Sequence, residues 1–174
     1  MTRYDLTLRI LHWTMAVLII GMFCSGLYAD SLPKESTFKP TLMMLHKATG
    51  TLLLVLAFIR LGWSVRRVQA LPSAIAGWQR SLAVATKHLL YLLILLVPLS
   101  GFVMSISAGR AINFYNLFEI PLLWGENRSL AGFAYQAHEL LALLFIGVVC
   151  LHIAGAIKHR LSGNAEEDVL KRML

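Results

Sequence analysis

Four apolar stretches, each close to the length that crosses a lipid bilayer, leave this chain few ways to fold. A spanning helix needs about 20 mostly apolar residues. Ile10 to Ala29 holds no Asp, Glu, Lys or Arg, and neither does His88 to Gly109 or Leu140 to Ile157. The remaining stretch, Leu42 to Ser64, carries Lys47 near one end and Arg60 near the other, where long side chains reach the interface. A lone strand in lipid would leave its backbone groups unpaired, so each run reads as a helix. The expected class is all-α: an integral membrane four-helix bundle, one transmembrane domain over residues 1–174, with spans at 9–30, 42–64, 85–107 and 132–158.

Composition narrows the alternatives. The chain is 57% hydrophobic and 14% charged, against about 45–50% and about 25% in soluble domains. That excludes a disordered chain, and two Cys in 174 residues exclude a disulfide scaffold. The first apolar run is too long for a signal peptide, and Ala29 has Leu27 two residues before it rather than a small residue. It reads as a mature helix.

The net charge of +7 does not call for nucleic acid. The basic residues bracket the spans, where they set topology and meet anionic headgroups. The N-terminus, the loop after the second span and the C-terminus together hold 11 of the 16 Lys and Arg. Both termini are therefore expected on the cytoplasmic side. The opposite side holds Lys34, Lys39, Lys47, Arg110 and Arg128, offset by Asp30, Glu35, Glu119, Glu126 and Glu139. Residues 65–86 and 108–131 read as loops, the second rich in interfacial aromatics. Trp13, Trp63 and Trp124 read as anchors at the membrane surface. Pro98 lies inside the third span and is expected to kink it.

All six His lie in or beside the apolar runs: His12, His46, His88, His138, His152 and His159. An ionisable side chain in such a place points first to function. His12 and His88 open spans from the cytoplasmic side; His46 and His138 open spans from the outer side. His138 and His152 are fourteen residues apart, nearly four helical turns, so they share one face about 21 Å apart along the axis. The outer level offers only His46 as a partner for His138. The inner level offers His12 or His88 to His152. Two His at matched depth on facing helices can ligate a haem iron from both sides. A structural zinc site would want four ligands at one level. Cys24 and Cys150 stand alone, with no C-x-x-C-H attachment motif, so any haem is noncovalent and of type b.

The chain resembles the prokaryotic cytochrome b561 family. The resemblance rests on Arg9-Ile-Leu-His-Trp13, Leu45-His-Lys-Ala-Thr-Gly50, the His88 to Gly101 segment, Ala137-His-Glu-Leu-Leu141, the Leu151 to His159 segment and the tail Asp168-Val-Leu-Lys-Arg-Met173. It covers nearly the whole chain, and the order and spacing of the motifs carry it. It implies a small di-haem cytochrome of the bacterial inner membrane. It implies His12 and His152 as ligands of the inner haem iron, and His46 and His138 as ligands of the outer. His88 and His159 match family positions near the inner haem and, with Arg9, are candidates for contact with propionates or quinone. Arg9 and Arg60 read first as topology-setting charges and second as propionate partners.

An iron with both axial positions filled by His suits electron transfer rather than substrate binding. The resemblance offers superoxide as donor at the outer face and ubiquinone as acceptor. Lys47, beside His46, is the candidate for attracting the superoxide anion. The alternative is an electron-relay subunit between quinone and a periplasmic redox protein, with no small-molecule substrate of its own. Membrane lipid is the expected surrounding, and nucleic acid is not an expected partner.

Overall fold

The computed structural model describes residues 3–66, 75, 77–162 and 168–174. Four long helices dominate: α1 (Leu6–Ser31), α2 (Lys39–Arg66), α3 (Gly77–Ser107) and α4 (Arg128–Leu161), followed by the short α5 (Val169–Met173). All four are long and apolar enough to cross a membrane. At 1.5 Å per residue even α1, with 26 residues, is about 39 Å long, more than the roughly 30 Å of a hydrocarbon core. Each helix overruns its expected span. The largest difference is α3, which begins at Gly77 inside what reads as loop. Its first turns, Gly77 to Thr86, are polar enough to hide from a hydropathy reading.

Much apolar side chain lies on the outside of the bundle. Val17, Ile20, Phe58, Phe133, Leu140 and Leu143 are all exposed. In water such a surface would invite aggregation; in lipid it is the solvated face. The interior is small. Met15, Leu53 and Ala57 form one buried cluster, and Leu93, Phe145 and Val148 another.

Consecutive helices pack backbone against backbone, α1 on α2, α2 on α3 and α3 on α4. By contrast, α4 meets α1 and α2 through large side chains. Phe23 and Phe145 stand edge to face at 5.6 Å, and the His pairs described below bridge the same gap. The end of the bundle that carries both termini is called here the terminal end; the other is the hairpin end.

At the hairpin end α3 stops on Gly109, whose φ of +68° suits glycine. Two reversed backbone bonds close the helix, Gly109 N–H to the Ile106 carbonyl and Arg110 N–H to the Ser105 carbonyl, both at 3.0 Å. The following segment is a hairpin rather than a plain loop: β1 (Ile112–Phe114) pairs antiparallel with β2 (Phe118–Ile120), and Phe114 stacks on Phe118. Its turn places Tyr115 and Asn116 at positive φ without any glycine, which is why no turn signal stands out in the sequence. Tyr115 Oη bonds Thr49 Oγ1 at 2.8 Å and pins the hairpin on α2. Asn127 then caps α4, its side chain accepting from the Leu130 amide at 3.0 Å. Within α3, Pro98 is accommodated without breaking the helix.

At the terminal end the chain closes on itself. Asp5 caps α1 through the Thr7 amide and accepts from Trp63 Nε1 at 3.0 Å. Trp13 Nε1 donates to the Met173 carbonyl at 3.0 Å. Trp124, at the other end, donates to Ser107 Oγ at 2.9 Å. The three tryptophans expected as surface anchors each have a specific acceptor, as a shielded indole N–H requires.

Asp168 sets α5. Its carboxylate accepts from the Lys171 amide at 3.0 Å and pairs with Arg160. The amide, then the guanidinium, hold its pKa below the ordinary carboxylate value. A depressed carboxylate pKa gives stability that is complete above about pH 4 and fades as pH falls through the folded value. Asp168→Asn is expected to speed hydrogen exchange of the Lys171 amide, relative to its intrinsic rate, at neutral pH. The parent protein should show no such change between pH 7 and pH 5.

Candidate functional site

The structure brings four of the six His together as two pairs. His46 on α2 and His138 on α4 meet near the hairpin end, ring centres 6.4 Å apart and planes at 79°. His12 on α1 and His152 on α4 meet near the terminal end, centres 6.2 Å apart and planes at 71°. With a metal–nitrogen bond of about 2.0 Å and a ring nitrogen about 1.15 Å from its ring centre, two imidazoles on opposite sides of one metal have centres about 6.3 Å apart. Both pairs match that spacing. No group of three or more His, Cys, Asp or Glu suited to a metal exists among the described residues. The donor set at each level is therefore two imidazoles, which suits a metal whose other ligands come from a macrocycle.

Each ring of the hairpin-end pair is held from behind in the same way. His46 Nδ1 lies 3.0 Å from Ser25 Oγ, and Ser25 Oγ donates to the Met22 carbonyl at 3.0 Å. The serine proton is thus spent, so Nδ1–H of His46 is the donor. His138 Nδ1 lies 2.9 Å from the Val97 carbonyl, which can only accept, and 3.1 Å from Ser100 Oγ. Both rings carry their proton on Nδ1, which leaves the Nε2 lone pair for a metal. Glycine follows each serine. A Cβ on Gly26 would sit 3.3 Å from His46 Cε1, and one on Gly101 would sit 3.0 Å from His138 Cε1 and 3.1 Å from its Nδ1. A Ser-Gly step on α1 seats the His of α2, and a Ser-Gly step on α3 seats the His of α4. Sequence reasoning missed these four residues. The dipeptide stands twice in otherwise apolar helix, and that repetition was the available signal.

The terminal-end pair differs. Arg60 Nη2 lies 3.0 Å from His12 Nδ1, and the guanidinium carbon stands 5.9 Å from the centre of the Tyr91 ring. Tyr91 Oη bonds Ser64 Oγ at 2.9 Å. Arg60 Nε is buried with no hydrogen-bond partner. An inward-turned guanidinium with a donor to spare is what a carboxylate-bearing macrocycle would find useful. Topology alone does not account for this orientation of Arg60.

The other candidates lie elsewhere. His88 Nδ1 bonds the Val84 carbonyl of its own helix at 2.9 Å and the residue is exposed. His159 is buried near the end of α4. Arg9 makes a long contact, 3.4 Å, to the Met173 carbonyl. Lys47 is half-buried and within electrostatic reach of Arg110. Arg128 pairs with Glu126 at 2.9 Å, and Lys39 donates to the Leu32 carbonyl. Neither Lys47 nor Arg110 has an acidic partner in an ion pair among the described residues.

Comparison with known proteins gives the family. The family model for prokaryotic cytochrome b561 matches residues 3–174. The chain belongs to the prokaryotic cytochrome b561 family. It is also 31% identical over 173 residues to cytochrome b561 homolog 2 of Escherichia coli (strain K12), covering 99% of this chain and 91% of that protein. As a cytochrome b561 it is a multi-pass bacterial membrane protein that binds b-type haem and transfers electrons through it.

Proposed function

We propose that this cytochrome b561 carries two b-type haems, one held by His46 and His138 and the other by His12 and His152. Electrons pass through them between a donor at the outer face and ubiquinone. The observation that supports this reading is the pair of imidazole spacings, 6.4 and 6.2 Å, at two depths of one continuous helix. A haem with two axial imidazoles supplies one-electron transfer without an open iron position. The terminal end lies in the cytoplasm and the hairpin end faces outward, as the Lys and Arg distribution indicates. The membrane is then the bacterial inner membrane.

Superoxide is the proposed donor. The Lys47–Arg110 pair concentrates positive charge beside His46 and would attract a small anion. Two superoxide ions give up one electron each and leave as dioxygen. One ubiquinone takes both electrons with two protons and becomes ubiquinol. The chain offers His159 and His88 at the terminal end for quinone contact.

The test uses detergent-purified, haem-loaded protein. Haem per polypeptide is expected to be two, and a superoxide flux is expected to reduce both haems and, with ubiquinone present, to produce ubiquinol. Lys47→Glu should slow reduction by superoxide several-fold and leave the rate of reduction by a neutral quinol, and the final extent of reduction by excess dithionite, unchanged. A protein with two haems that ignores superoxide but is oxidised and reduced by quinone and quinol would refute superoxide as donor and return the reading to an electron relay.

A further inference from the structure

His12 is backed in the opposite sense to both rings of the hairpin-end pair, and the difference centres on one residue. At the hairpin end both Nδ1 atoms donate to neutral oxygens, of Ser25 and of Val97 and Ser100. A ring that donates in this way is a more basic ligand. At the terminal end Arg60 can only donate, so His12 Nδ1 is the acceptor. That contact and ligation by a neutral His12 through Nε2 exclude each other, because the neutral ring keeps its one proton on Nδ1 when Nε2 binds a metal. Arg60 therefore needs another acceptor when His12 is a ligand. Its Nε is already buried without one, and Tyr91 and Ser64 line its side of the site with hydroxyls.

On the proposed ligation, which this inference presupposes, we infer that Arg60 receives a propionate carboxylate of the terminal-end haem, and that its charge makes this haem the easier of the two to reduce. Two physical arguments converge. A guanidinium and a carboxylate form a strong charge-assisted pair. Reduction adds one negative charge to the iron, and a fixed cation in a low-dielectric site favours that state. The basic imidazoles at the hairpin end favour the oxidised state instead. Electrons entering at the hairpin end would then run downhill to the terminal end.

The experiment is a redox titration of haem-loaded protein, followed optically, for the parent, Arg60→Gln, Arg60→Lys and His12→Ala. His12→Ala identifies the terminal-end midpoint as the one that disappears. If His12→Ala keeps both haems, the ligand assignment itself fails, whatever Arg60 does. With the assignment standing, the terminal-end midpoint should be the higher one. It should fall in Arg60→Gln by at least the equivalent of a tenfold change in the oxidised-to-reduced ratio, about 59 mV for one electron. Arg60→Lys should restore part of the shift, and the hairpin-end midpoint should stay in place. Loss of the terminal-end haem from Arg60→Gln with retention in Arg60→Lys would also support the pairing. Two haems with unmoved midpoints would overturn it, as would a shift confined to the hairpin-end haem. Loss of the terminal-end haem from both variants with helical content intact would overturn it too, because the site would then need the arginine's shape rather than its charge.

Discussion

Alanine at His46 or His138 is expected to remove one haem of two, and the same one in both variants. Alanine at His12 or His152 is expected to remove the other. Each variant should show half the parent's haem per polypeptide, and the reduced-minus-oxidised spectrum should lose the same component within each pair. The physical reason is that a pair with ring centres 6.2 or 6.4 Å apart has the spacing to serve one metal, so on the proposed ligation one missing imidazole would empty half the axial coordination. His88→Ala should leave two haems, because that ring is committed to the Val84 carbonyl. Three outcomes would break the map: no loss, loss of both haems from a folded variant, or loss that fails to group by pair.

Gly101→Ala is expected to weaken the hairpin-end haem without touching the ligand itself. The added methyl would lie 3.0 Å from His138 Cε1 and 3.1 Å from Nδ1, tight enough that the ring must give by a few tenths of an ångström. The ring is hydrogen-bonded to Val97 on that same side and cannot swing away without losing its acceptor. Overpacking of this kind costs about 1–3 kcal/mol, which corresponds to roughly a 5- to 150-fold loss of haem affinity at about 1.4 kcal/mol per tenfold. Gly26→Ala, with its nearest approach at 3.3 Å, should do the same more mildly. Gly21→Ala and Gly62→Ala meet nothing within 4 Å and should be neutral, or stabilising by up to about 1 kcal/mol from helix propensity. Haem dissociation into a haem-scavenging protein measures all four. Equal behaviour of Gly101→Ala and Gly21→Ala would show that the ring is not seated on the glycine.

The helices were readable because lipid imposes a simple length rule on them, and the His pairing was readable because 14 residues return a helix to nearly the same face. His138 and His152 fix two levels on α4, and His46 is the only remaining His at one of them. The inner partner was not decided by residues alone. His12 and His88 share a depth, and the structure separates them by setting His12 against His152 and turning His88 to its own backbone. The Ser-Gly seats escaped because serine and glycine are ordinary in packed membrane helices, and their meaning depends on which neighbouring helix presents a ring. Arg60 was named from the sequence as a propionate partner only in second place. A basic residue near the end of a span has a sufficient explanation in topology, and its inward orientation is a tertiary fact. The hairpin escaped because its turn puts Tyr and Asn where Gly is usual.

One continuous helix carries a ligand candidate at each level, with the buried Phe145 midway, seven residues from both. The two levels are about 21 Å apart along the axis, some two-thirds of a hydrocarbon core about 30 Å thick. With a haem at each level, as proposed, an electron handed from one to the other would cross most of the dielectric, and the transfer would be electrogenic. A full charge crossing is worth about 2.3 kcal/mol per 100 mV, and two-thirds of it about 1.5 kcal/mol. In an energised membrane, negative inside, inward electron flow would run against the field and slow as the voltage rises, while collapse of the voltage would release it. On the proposed ligation and orientation, the span between two histidines on α4 would make the protein's turnover responsive to the energetic state of the cell that holds it.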